Sequence, residues 1–236
     1  MSRLMAIVAA LGSLLAGPAC AQESAGEMAR ARAAMVEAVR REGAGEVGER
    51  VLRALGTVER HRFVPDELAG EAYANHPLPI GEEQTISQPL MVAIMTELLE
   101  LEPGDRVLEV GTGSGYQAAI LAEMGARVWS IEIVPVLARS SAARLGALGY
   151  GGVTVREGDG YAGWSDEAPF DAVIVTAGAD HVPEPLVAQL KPGGRMVIPV
   201  GPVDGEQTLI LIGKDANGRV TRRERGLVRF VPLTRR

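Results

Sequence analysis

Cysteine is almost missing from this chain of 236 residues: Cys20 is the only one. A single thiol makes no internal disulfide and no cysteine metal site. Histidine is scarce too. His61, His76 and His181 lie far apart, without metal-ligand spacing and without a Ser-His-Asp arrangement, so no metal is expected. Aromatic residues are 4% of the chain against 47% hydrophobic, which predicts a core built from aliphatic side chains. Positive charge is in deficit: the formal net charge is −6, which gives no electrostatic footprint for a nucleic acid backbone. Arg222, Arg223, Arg225, Arg229, Arg235 and Arg236 gather near the end and read as a solvated strand edge and tail. The apolar run Leu4–Leu15 is too short to span a bilayer.

That run reads instead as an export signal. Arg3 gives a positive start, Pro18 breaks the apolar stretch, and Ala19-Cys20-Ala21 is a small-x-small cleavage site before Gln22. Export to the periplasm or medium follows if cleavage falls after Ala21, leaving no membrane segment in the mature chain. Translation from Met28 would leave the protein in the cytoplasm. Lipidation of Cys20 is disfavoured because Gly17 stands where a leucine is usual. Cleavage removes Arg3 and takes the formal charge from −6 to −7.

The remainder divides into an N-terminal helical and substrate-binding segment, 22–105, continuous with a core of 106–236. Met28, Met35, Val36 and Val39 are spaced for a helix ending near Gly43, and Val47–Leu55 for a second. Prolines and glycines make 56–86 loop-rich, and Pro89 opens another helix. From Arg106 onward short apolar strands alternate with helices: strands at Arg106–Val110, Val128–Ile131, Val153–Arg156, Asp171–Val175 and Arg195–Pro199. Such alternation predicts an α/β fold with a doubly wound, mostly parallel Rossmann-like sheet and helices on both faces. Leu209–Gly213 and Gly226–Val231, flanking the turn Asp215–Gly218, predict an antiparallel C-terminal hairpin. The lack of long exposed apolar stripes favours a monomer.

Glu109-Val110-Gly111-Thr112-Gly113-Ser114-Gly115 ends the first core strand and opens a helix, the place where open α/β sheets bind ligands. A dinucleotide loop would place its third glycine at position 116, where Tyr116 stands, and a carboxylate at Glu109 would repel a pyrophosphate. Glu109 can instead accept from an ammonium group directly or through water. Glu132, at the end of the next strand, suits a ribose diol. Asp159 in Gly158-Asp159-Gly160 suits an adenine amino group. Together with Gly111, Gly113 and Gly115 these residues describe a nucleoside with an amino-acid tail and no phosphate, S-adenosylmethionine.

The chain resembles protein-L-isoaspartate O-methyltransferases, from about Arg62 to Thr234. The resemblance is carried by Arg62-Phe63-Val64-Pro65, Gln84-Thr85-Ile86-Ser87-Gln88-Pro89, Val107–Tyr116, Gly158-Asp159-Gly160, Pro192-Gly193-Gly194 and Phe230-Val231-Pro232-Leu233-Thr234. It implies a repair enzyme whose partners are isoaspartyl proteins and peptides. The free α-carboxylate of the damaged residue takes the methyl group, and the ester returns through a succinimide toward aspartate. A carboxylate is ionised near neutral pH, so positioning and not a general base is what such a reaction needs. Ser87 matches the serine assigned to the active site in that family; by position alone it reads as a helix cap. Thr85, Ile86 and Thr234 are expected to line the acceptor site. Other readings are a methyltransferase for a different acceptor and an exported, non-catalytic binding module.

Overall fold

The computed structural model describes residues 18–203 and 205–235. The apolar run Leu4–Leu15 of the export reading lies outside them. Helix α1 (Pro18–Glu42) takes in Ala19–Ala21. Helix α2 (Glu49–Thr57) buries Val51, Leu52 and Leu55 along one face, each contributing about 1.5–3 kcal/mol on leaving water.

The loop-rich stretch is more ordered than its prolines and glycines suggest. It holds 3-10 turns at Arg60–Phe63 and Asp66–Glu71, then a hairpin of β1 (Leu78–Gly81) and β2 (Gln84–Ile86). Glu82 and Glu83 sit at its tip with φ of 52° and 57°, the backbone of a primed hairpin turn. Helix α3 (Pro89–Leu98) follows, with Pro89 in its first turn.

The core runs β3 (Arg106–Val110), α4 (Tyr116–Glu123), β4 (Arg127–Glu132), α5 (Pro135–Ala147), β5 (Thr154–Glu157), β6 (Phe170–Val175), α6 (Glu184–Ala188), β7 (Leu190–Val200), β8 (Gln207–Lys214) and β9 (Val220–Val228). The strand order is β5-β4-β3-β6-β7-β8-β9. The first five strands are parallel, and β8 and β9 close the sheet antiparallel to β7. Winding starts at β3, proceeds to β5, then returns to β6 on the other side of β3. The crevice between the C-terminal ends of β3 and β6 is therefore the topological switch point, the usual ligand position in such sheets.

Side-chain alternation splits the core into two layers. Val107, Val128 and Ile174 join Leu52, Leu55 and Val92 from the N-terminal helices. Leu108, Val110, Val173 and Met196 face the other way, toward Leu186 of α6. Residues 22–105 and 106–236 thus share one continuous hydrophobic layer.

The last strand departs from the expected Gly226–Val231. Pairing ends at Val228, beyond a register shift near Gly226, whose φ is 127°. The Phe230 amide is taken from the sheet by the buried side chain of Gln207, whose Oε1 accepts it at 2.8 Å. Residues 229–234 consequently leave the sheet and cross toward the ends of β3 and β6.

Candidate active site

Strand β3 stops at Val110, and the chain must reach the start of α4 within a few residues. Gly111 makes the sharp exit with φ of 99°, and a Cβ there would lie 2.5 Å from the Thr176 hydroxyl oxygen, so only glycine fits. Thr176 Oγ1 donates to the Gly111 carbonyl at 2.6 Å and ties the loop to the end of β6. The Gly111 amide donates to the Ile131 carbonyl at 2.8 Å, tying it to β4. Gly115 ends the loop as the residue preceding α4.

Glu132, buried at the end of β4, is locked in place by two amides. Gly113 N–H donates to one carboxylate oxygen at 2.7 Å and Val134 N–H to the other at 2.9 Å. Each oxygen keeps acceptor capacity, and Glu132 lines a cavity of roughly 750 Å³, counting the space at its mouth. The walls are the Gly111–Ser114 loop, Ile131, Ile133 and Val134 on one side and Gln84–Ser87 on another. The C-terminal segment Val231–Thr234 closes a third. Among the described residues Glu132 is the only charged one on the lining, with no Lys or Arg. A pyrophosphate would therefore meet an anion without a counter-cation. A nucleoside with free hydroxyls finds a fixed acceptor, apolar walls and a backbone open to close approach.

The structure brings together Thr85, Ile86, Ser87, Gly111, Gly113, Glu132, Gly160 and Thr234 on this cavity. Gly160 has a steric reason: a Cβ there would lie 2.3 Å from Val110 Cγ1. Glu109, Gly115, Gly158 and Asp159 are not on the lining. Glu109 does not project past the strand end. It is inside β3, on the same side of the pleat as Val107, opposite Ser130 of β4. Its carboxylate lies fully buried, accepts from the Ser130 hydroxyl and has its second oxygen unpartnered. Burial pushes its pKa up to about 8, with the nearby Glu132 charge acting in the same direction and the Ser130 bond opposing. Asp159 turns back to accept from the Tyr161 amide at 2.9 Å, capping the turn Gly160–Ala162.

Thr176, Ala177 and Gln117 line the cavity without having been singled out from the sequence, and Thr112 and Tyr116 of the glycine loop line it as well. Tyr116 fills the place of a dinucleotide glycine with a buried ring packed edge-on to Phe63 at 5.5 Å, under the Arg60 guanidinium at 4.9 Å. None of the histidines joins the cavity lining. His61 pairs with the Tyr73 hydroxyl at 2.7 Å, His76 with the Pro77 carbonyl at 3.0 Å, and His181 with Asp180 at 2.6 Å.

A second, open groove adjoins the first. Pro77, Gln88, Met91, Glu206, Leu227, Arg229 and Phe230 line it, and it shares Thr85, Ser87, Thr176 and Val231 with the closed cavity. Ser87 therefore stands where the two depressions meet. Among the described residues its hydroxyl has no hydrogen-bond partner. The first turn of α3 is preceded by Gln88 and receives no side-chain cap from it.

With this geometry in view, comparison with known proteins gives a consistent answer. A family model described as protein-L-isoaspartate(D-aspartate) O-methyltransferase matches residues 30–236. The protein-L-isoaspartate O-methyltransferase 1 of Nitrosospira multiformis is 56% identical over 211 residues, covering 89% of this chain and 89% of that protein. The protein-L-isoaspartate O-methyltransferase 2 of a Polaromonas species is 53% identical over 202 residues, covering 85% of this chain and 96% of that protein. A crystal structure from Plasmodium falciparum, described as a protein-L-isoaspartate O-methyltransferase in complex with S-adenosyl-L-homocysteine, superposes with a TM-score of 0.73 at 27% identity, covering 85% of this chain and 97% of that one.

Proposed function

The chain belongs to the protein-L-isoaspartate(D-aspartate) O-methyltransferase family, and on that premise we propose how its own residues carry out protein-repair methylation. The carrying observation is the junction at Ser87, between a cavity shaped for a nucleoside and a groove open to a polypeptide. S-adenosylmethionine, when bound, supplies a methyl group on a sulfonium centre. Glu132 accepts hydrogen bonds from the ribose diol, its orientation fixed by the Gly113 and Val134 amides. The backbone of Gly111–Gly113 lies against the amino-acid tail. Ser87 donates its hydroxyl to the α-carboxylate of the L-isoaspartyl residue and aims it along the line of transfer. Thr85 and Ile86 shape the acceptor side. Val231–Thr234 form the wall that keeps water from the reacting pair. No residue needs to remove a proton, because the acceptor arrives ionised. The ester formed returns through a succinimide toward aspartate.

Incubation with a radiolabelled methyl donor and an isoaspartyl peptide beside its aspartyl twin tests the reading. Label is expected in the isoaspartyl peptide alone; equal labelling of both, or of neither, overturns it.

We also propose that the chain is exported and works as a monomer without nucleic acid or membrane partners. The positive start, the apolar run and Ala19-Cys20-Ala21 support export, and the net charge of −6 speaks against nucleic acid. No described helix is long and apolar enough to cross a membrane. N-terminal sequencing of the native protein is expected to begin at Gln22. A start at Met1 or Met28 refutes export.

A further inference from the structure

Glu109 is a carboxyl that the proposed chemistry does not use, yet it is wired to the cavity. Thr112 lines the cavity, and its hydroxyl oxygen is 2.5 Å from the Ser130 hydroxyl. Ser130 in turn bonds the Glu109 carboxylate, whose other oxygen is buried without a well-formed hydrogen bond and has the Ala118 amide as its nearest donor. All three side chains are buried. They form an unbranched chain of exchangeable hydrogens from the cavity wall to an interior acid.

Such a chain has two polarities. With Glu109 ionised, Ser130 donates to Glu109 and Thr112 donates to Ser130, so both hydroxyl hydrogens point toward the acid. With Glu109 protonated, every bond reverses, and Thr112 presents an O–H donor. Either state is internally satisfied, but their charges differ by one. An interior carboxylate without a counter-cation is costly in an empty site. A cation arriving nearby in a low-dielectric setting removes much of that cost.

We propose that Thr112, Ser130 and Glu109 form a relay that couples the charge of the molecule in the cavity to a proton on a buried carboxyl, so that the site distinguishes the cationic methyl donor from its thioether product. The proposal rests on the cavity being the S-adenosylmethionine site. Binding the sulfonium form expels the Glu109 proton through Ser130 and Thr112 to solvent. Transfer of the methyl group from sulfur to the substrate carboxylate would leave a neutral thioether in the cavity, and with the positive charge gone a proton from solvent returns to Glu109 while the product is still bound. Donor binding is thereby favoured over product retention, increasingly as pH rises.

The groups facing Glu109 agree with this division. On β4, Ser130 favours the ionised form and Glu132 opposes it. On α4, the Ala118 amide favours ionisation. On β6, its register partner is the apolar Ile174. Among the described residues no cation shifts Glu109, whose pKa stands at about 8. The charge that would tip it must come from the ligand.

Titration calorimetry near pH 7.5 in buffers of different ionisation enthalpy counts the protons exchanged. The wild-type protein is expected to release more protons on binding S-adenosylmethionine than on binding S-adenosylhomocysteine, by up to about one per site. Its preference for the former should grow by as much as about tenfold per pH unit in this range. Ionisations belonging to the ligands themselves remain in Glu109→Gln, which should lose the excess release and the added pH slope. Thr112→Val, which leaves the acid in place, should slow the exchange and reduce the excess. Infrared difference spectra provide a second readout if Glu109→Gln does not fold: the wild-type protein should lose a protonated carboxyl stretch on binding the donor and keep it on binding the product. Equal proton release with both ligands, an excess that persists in Glu109→Gln, or no carboxyl change overturns the relay while leaving methyl transfer intact. Failure of the wild-type protein to bind either ligand overturns the functional reading beneath it as well.

Discussion

Ser87 owes its free hydroxyl to a residue twelve positions earlier. A serine before Pro89 ordinarily caps the helix that follows. Here Asn75 Oδ1 takes that task, accepting from the Leu90 amide at 3.0 Å, while Pro89 has no N–H to satisfy. Asn75→Ala should therefore lower stability by about 1 kcal/mol and also lower kcat, because the Leu90 amide then competes for the serine. Thermal melts and steady-state kinetics separate the two effects. Ser87→Ala removes one hydrogen bond to a charged acceptor, about 1.5–3 kcal/mol. It should cut kcat/KM for an isoaspartyl peptide by about ten- to a hundredfold while leaving the dissociation constant of the cofactor unchanged. Glu132→Ala is expected to do the reverse. It removes the fixed acceptor and frees the Gly113 and Val134 amides, so cofactor affinity should fall by about tenfold or more, measured by calorimetry without peptide.

The C-terminal segment is the element that turns a crevice into a cavity, and the tethers holding it are few. Gln207 accepts from the Phe230 amide at 2.8 Å and donates to the Gly205 carbonyl at 3.0 Å. Gly178 exchanges backbone hydrogen bonds with Val231 and Leu233 at 2.8 and 2.7 Å. Gln207→Ala should release residues 229–234 from the sheet end, raise KM for the peptide several-fold and quicken hydrogen exchange at Phe230, with the parallel strands unaffected. This element also shows where sequence reading stops. The parallel strands were legible because their apolar runs are buried on both faces, and the glycine loop because a strand-to-helix exit needs its backbone. Phe230-Val231 looks equally strand-like from composition, yet a single buried glutamine draws it out of register, and no local pattern announces that contact. Glu109 was misplaced for a related reason. It reads as a ligand-facing carboxylate near the end of Arg106–Val110, the strand the sequence itself predicts, but alternation with Val107 turns it into the layer beneath α4. Asp159, expected to meet the adenine amino group, stands off the cavity lining with one carboxylate oxygen on the Tyr161 amide. The hairpin at 78–86 was hidden because Glu82 and Glu83, not glycines, occupy its left-handed tip.

Across the whole molecule, the N-terminal helices and the sheet share one apolar layer, so a charge placed in that layer is a cost borne by the global fold. Glu109 is such a group. Its pKa stands at about 8 in the folded protein against an ordinary 4.5. Between these values the folded chain holds a proton that the unfolded chain has lost. Unfolding therefore releases a proton, and stability falls as pH rises, by up to about 1.4 kcal/mol per pH unit from this one residue. The contribution is fully present below about pH 4.5 and is gone once the pH has passed about 8. Denaturant unfolding of the ligand-free protein at a series of pH values should show this decline, and Glu109→Gln should flatten it, since an amide is neutral throughout. A wild-type profile between pH 5 and pH 8 no steeper than that of Glu109→Gln would mean that Glu109 is already ionised in the fold, sustained by Ser130 and the Ala118 amide alone.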